Sequence, residues 1–159
     1  MSNGLAIREA EAGRGVRVVP FEAAHAHALR DQGNNLLVGP LLSHPGHIAE
    51  LMAGPSIALI DGADGVIACA GFLDLGEVVF AWLLPDETRL RHHLIGVHRM
   101  FGHYLSRARF PTVVPISKTL IPSWHRWARL LGFRLVSDEE SDFDLYRKNP
   151  TEAVSWLTQ

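Results

Sequence analysis

The feature that most constrains this chain is a nearly continuous apolar stretch over residues 56–85, cut by two turns and followed at once by a long amphipathic helix. "SIALI" and "VIACAGFLDL" flank "DGADG", a strong hairpin signal. A second turn, "DLGE", leads into "VVFAWLL". In that strand Val78, Phe80, Trp82 and Leu84 point one way, and Val79, Ala81 and Leu83 the other. Both faces are apolar, so the strand is expected at the centre of a sheet, buried on both sides. Pro85 ends it. Cys69, between Ala68 and Ala70 of the preceding strand, is expected to be buried and inert.

After Pro85, Leu90, Leu94, Val97, Phe101, Tyr104 and Ala108 fall at alternating spacings of four and three, one apolar stripe along a helix. "VRVVPF" upstream reads as a strand, and "EAAHAHALRDQGNN" as a helix stopping near Gly33. Gly39, Pro40 and Pro45 break the next segment into a loop and a short helix over 47–52. Downstream, "TVVPI" is a strand and "PSWHRWARLLGF" a helix from Pro122 to Gly132. "FRLVS" and "FDLYRK" close the chain as strands around the acidic turn "DEESD". The order is that of an α/β fold with a mixed central sheet and helices on both faces.

At 159 residues, 47% of them hydrophobic and 20% charged, the chain can bury a real core. It divides into a lead-in over 1–15, one domain over 16–148 and a tail over 149–159. A net charge of -2 gives no general attraction to nucleic acid or to an anionic membrane. The one cysteine excludes an internal disulfide. Leu5, Ala6 and Ile7 are too short an apolar patch for a secretory signal, and no apolar run is long enough to cross a bilayer.

Two stretches, "FAWLLPDE" closing the central strand and "WHRWARLLGF" on the last helix, give the chain a family likeness. It resembles the GNAT-superfamily acetyltransferase-like proteins of tailed bacteriophages, over residues 16–148. The resemblance implies the GNAT (acyl-CoA N-acyltransferase) fold. It also implies acetyl-CoA held at a gap between two parallel strands, with the pyrophosphate on the N-terminus of the helix after "WLLPDE". The cofactor-binding set it implies is Leu83, Leu84, Thr88, Arg89 and Arg91. Working members place Arg/Gln-x-x-Gly-x-Gly/Ala in that turn, whereas "LPDETRLRHH" contains no glycine. Many also place a tyrosine, the general acid for the leaving thiolate, where this chain has Ala128.

Arg89 and Arg91 therefore have two readings. Either they join free helix N–H groups in an anion site, or they are solvated arginines paired with Asp86 and Glu87. Glu77, Ser117 and His125 are the candidate catalytic groups. Glu77 would be a base for an amine, and His125 an acid or base near neutral pH. Each also reads as an ordinary surface residue. No metal site is expected, because His93, His98 and His103 are five apart and turn around the helix. Trp124 and Trp127 read as core or interface.

Two functions follow. One is a phage acetyltransferase-like protein with a degenerate acetyl-CoA site, acting through protein contacts in or on the virion or in its assembly. The other is an active acetyl-CoA-dependent N-acetyltransferase with a non-standard cradle. The host cytoplasm or the virion is the expected location. Trp156 and Leu157 in the tail are expected to contact another protein chain, since large apolar side chains are costly to leave in water.

Overall fold

The computed structural model describes residues 15–35, 38–62, 65–118, 122–137 and 142–150. The lead-in before Gly15, most of the acidic turn and the tail with Trp156 and Leu157 lie outside the described residues.

Seven strands form a mixed sheet in the order β1-β2-β3-β4-β5-β7-β6. They are β1 (Val16–Pro20), β2 (Ser56–Asp61), β3 (Val66–Asp74), β4 (Val79–Pro85), β5 (Thr112–Ser117), β6 (Arg134–Ser137) and β7 (Phe143–Lys148). The helices are α1 (Ala23–Gln32), α2 (Val38–Leu42), α3 (Pro45–Met52), α4 (Glu87–Ser106) and α5 (Pro122–Leu130). The described chain gathers into two compact units. The first runs to Leu73 and takes in Trp82–Met100; the second holds Asp74–Ala81 and the chain from Phe101 on.

In the first unit, β1 and β2 pair antiparallel from Val16↔Asp61 to Pro20↔Ile57. β2 and β3 pair antiparallel from Ser56↔Gly71, with a bulge between Leu59 and Ile60. Leu59, Ile67, Ala68 and Cys69 have no exposed surface and form the core of these ladders. Helix α1 stops at Gly33, whose φ of 77° is the left-handed cap that glycine adopts without strain. At its start Glu22 and His25 cap each other reciprocally. Gly71 lies under the Trp82 indole: a Cβ there would meet the ring at 2.8 Å and the Pro55 carbonyl oxygen at 2.7 Å. Trp82 in turn packs edge-on against Phe21, with centroids 5.2 Å apart.

In the second unit, β4 and β5 pair in parallel through Val79↔Thr112 and Phe80↔Val113. β7 lies between β5 and β6 and pairs antiparallel with each. Tyr146 is its buried centre. Gly132, at φ 96°, turns the chain from α5 into β6.

Three expectations are corrected. β4 is central, but full burial on both faces is not observed: only Trp82 and Pro85 are buried, and the other five residues are half-buried. An apolar pattern excludes a bare face but does not fix how much covers it. The segment around Gly39 and Pro40, read as a loop, is the short helix α2, in which Pro40 falls in the first turn, where a missing N–H costs little. The stripe on α4 holds in part, with Leu94 as the departure. Leu90, Val97 and Met100 are buried, with His93 half-buried between them, while Leu94 is 42% exposed. Both registers fit a 3.6-residue period, and Met100 wins the inward position over Leu94.

Candidate functional site

The turn from β4 into α4 is built around Asp86. Aspartate after a proline is a strong helix N-cap, because its short carboxylate reaches back to the N–H groups of the first turn. Here Asp86 Oδ1 accepts the Arg89 N–H at 2.9 Å, and its backbone carbonyl accepts the Leu90 N–H at 2.8 Å. Its own N–H donates to the Ile67 carbonyl at 2.8 Å, tying the end of β4 to β3. The second carboxylate oxygen accepts from Gln32 Nε2 at 2.7 Å and Asn34 Nδ2 at 3.0 Å. Gln32 is itself fixed, because its amide also exchanges two hydrogen bonds with the Val66 backbone. Asn35 Nδ2 donates to the Pro85 carbonyl at 2.7 Å. The C-terminal end of α1 therefore clamps this turn.

Asp86 has no exposed surface. Burial alone pushes its pKa up. The Arg89 N–H, the Asn34 and Gln32 amides and the Arg89 charge outweigh that and hold the carboxyl below its ordinary value. Arg89 does not reach outward. Its Nη1 bonds Asp61, and its Nε lies 3.7 Å from Asp86. The guanidinium occupies the space a side chain at Gly65 would fill, since a Cβ there would fall 2.1 Å from Nη1.

This arrangement sets what the turn can bind. α4 begins at Glu87, so the N–H groups of Glu87, Thr88 and Arg89 have no acceptor within the helix. The Glu87 N–H points to the Asn34 carbonyl at 3.5 Å, and that of Arg89 is held by Asp86. Among the described residues only the Thr88 N–H is left for an incoming anion. Two carboxylates, Asp61 and Asp86, face one guanidinium. A second anion 4 Å from one uncompensated charge costs about 4 kcal/mol at an effective dielectric of 20. Of the cofactor-binding set, Leu83 and Leu84 are half-buried in β4, Thr88 and Arg91 are exposed, and Arg89 is committed to internal pairs. The pairing of Arg89 with Asp86 follows the second reading of the arginines, with Asp61 as an added partner and with partial burial in place of solvation.

In the second unit, His125 occupies the first turns of α5. Its Nε2 lies 3.1 Å from the Ser117 carbonyl, and its Nδ1 lies 3.0 Å from the Tyr146 hydroxyl. A carbonyl only accepts, so Nε2 carries the proton, and in the neutral ring Nδ1 accepts from Tyr146. Asp144 Oδ2 is 3.7 Å from Nδ1, and Lys118 Nζ is 3.9 Å from the other Asp144 oxygen. The structure thus brings His125 to Ser117 through the serine's backbone. Glu77 stands apart from them in polar contact: it is exposed in the turn before β4, with no polar partner among the described residues. Ala128 is buried, and Trp124 and Trp127 lie against each other with rings tilted by 55° and centroids 5.5 Å apart. Among the described residues no cluster of histidine, cysteine and acidic side chains could hold a metal ion.

Tyr146 and Asp144 were missed. They share one face of β7 by period two, a signal present in "FDLYRK", but their partner His125 is 21 and 19 residues away. Gln32 and Asp61 were missed for the same reason.

No family model matches the sequence, and no curated protein matches it. Solved structures do. An acetyltransferase from Streptococcus agalactiae aligns with a TM-score of 0.66 at 15% identity, covering 86% of this chain and 99% of that one. The PaiA N-acetyltransferase from Thermoplasma acidophilum, solved in complex with coenzyme A, aligns at 0.61 and 7% identity, covering 84% and 98%. The spermidine N-acetyltransferase from Vibrio cholerae, in complex with CoA and spermine, aligns at 0.56 and 9%, covering 85% and 94%. With seven strands in one mixed sheet and these neighbours, the chain has the GNAT acetyltransferase fold.

Proposed function

We propose that this chain is a GNAT-fold protein whose acetyl-CoA site is degenerate and which acts through protein contacts. The observation that carries the reading is the occupancy of the α4 N-terminus. A buried, charged Asp86 takes the place a pyrophosphate would need, and the one arginine facing that carboxylate is also paired with Asp61. The phage origin and a virion-associated or assembly role rest on the sequence resemblance, and place the protein in the host cytoplasm or the virion. Trp156 and Leu157 of the tail are the proposed contact to another chain.

The second reading is an active N-acetyltransferase using acetyl-CoA, with Thr88 and Arg91 as its remaining anion contacts. Two observations favour it. His125 and Tyr146 form a hydrogen-bonded pair of groups able to move a proton, and two of the structural neighbours were solved with CoA. Incubation with acetyl-CoA and a panel of polyamines and peptide amines, following release of the CoA thiol, separates the two. Release no faster than in the protein-free blank supports the degenerate site. Amine-dependent turnover contradicts it.

A further inference from the structure

Between Thr88 and Ser106, α4 carries three arginines and four histidines and no acidic residue, in a chain whose net charge is -2. Arg89 turns inward to Asp61 and Asp86. Arg91, His92 and Arg99 remain exposed, and among the described residues their side chains make no ion pair or hydrogen bond. At 100° per residue, Arg91, Ile95, Arg99 and His92 fall within an arc of about 100°, opposite the buried edge formed by Leu90, Val97 and Met100. Ile95 sits in the middle of that arc and is 78% exposed. Leu94, on its flank, is 42% exposed.

An ordinary solvated helix face intersperses opposite charges at spacings of three and four, which stabilises the helix. Beyond Glu87 in the first turn, four residues before Arg91, this face carries no acidic group and sets Arg91 and Arg99 around an exposed aliphatic pair. Such a surface gains from a partner whose acidic groups ring an apolar centre. We infer that the outer face of α4 is a docking surface for an acidic, amphipathic protein segment. Its carboxylates would pair with Arg91 and Arg99, and its apolar side chain would cover Ile95 and Leu94. The central Ile95 favours a protein over nucleic acid, whose phosphates would leave the isoleucine in water. The inference rests on the reading that the neighbouring turn does not hold acetyl-CoA, which would otherwise claim Arg91.

The test titrates the full-length protein with a labelled helical peptide bearing glutamates around a leucine stripe, read by fluorescence anisotropy and by amide shifts. Parallel arms use the same peptide with serine for leucine, a duplex DNA, and acetyl-CoA. Saturable binding of the leucine peptide is expected, with shifts confined to α4. A drop of roughly tenfold or more is expected in the Arg91→Glu/Arg99→Glu variant, and a similar drop in Ile95→Ser, which leaves the charges in place. Both variants change exposed positions, and their melting curves confirm folding. Absence of binding, equal binding of the serine peptide, or tighter binding of DNA overturns the inference. So does concentration-dependent self-association that the charge variant abolishes, because it would assign the face to a second copy. Acetyl-CoA binding contradicts the degenerate-site reading, while the peptide arm still decides the docking surface.

Discussion

Asp86 is a carboxylate without exposed surface, and it remains charged because Gln32, Asn34 and both ends of Arg89 hold it. Its pKa lies below the ordinary aspartate value in the folded protein. The stability this confers is therefore present in full above about pH 4, the unfolded value, and is lost as pH falls through the lower folded value. Asp86→Asn should cost about 1.5–3 kcal/mol at neutral pH, the range for lost hydrogen bonds to a charged group, because asparagine keeps the cap but turns an amide N–H toward the Gln32 and Asn34 donors. The gap to wild type should close in strong acid. Urea unfolding of both proteins across that range checks this, and a gap independent of pH would contradict it. Cys69 is the opposite case: burial among apolar neighbours pushes its thiol pKa up, so little thiolate forms. It should resist thiol reagents under native conditions and react once the protein is unfolded. Rapid native labelling would show that β3 opens.

Among the elements, α4 shows what periodicity carries and what it leaves open. Its existence and its start after Pro85 were legible, because a strand-ending proline and an apolar repeat meet there. Its inward edge was not, since Leu94 and Met100 compete for the same side and only packing decides. The stop of α1 was legible near Gly33, which supplies the left-handed cap. α2 was not, because Gly39 and Pro40 signal a break unless the proline falls in the first turn of a helix. The Arg89 pair gives the prediction at this scale. Gly65→Ala would place a methyl group on the guanidinium and evict it from Asp61. Gly65→Ala and Arg89→Ala should each destabilise by about 1–2 kcal/mol, and the double variant by little more than either alone, because both remove the same partly buried pair. Full additivity in denaturant unfolding would mean that Gly65 does not serve Arg89. An exposed arginine at a helix start would add little to stability; Arg89 is expected to add more because it faces two acidic partners.

For the whole molecule, the order of strands and helices carried the GNAT fold, and solved structures at 15% identity or less share it. The candidate site was less legible. His125 and Ser117 were singled out because they sit where β5 ends and α5 begins, a place the order of elements fixes. Tyr146, 21 residues from His125, and Gln32, 54 residues from Asp86, each meet that partner only by tertiary packing, which leaves no mark in local spacing. The absent glycines after Pro85 were visible, but what replaced them was not: a clamp of side chains from α1 and the β2–β3 hairpin, closed on a buried aspartate. That clamp underlies the central proposal, that the α4 N-terminus does not hold a diphosphate. Calorimetric titration of the full-length protein with acetyl-CoA tests it most directly. No saturable heat is predicted up to about 1 mM ligand, an affinity weaker than roughly -4 kcal/mol. Saturable micromolar binding that weakens at least tenfold in Arg91→Ala would contradict it.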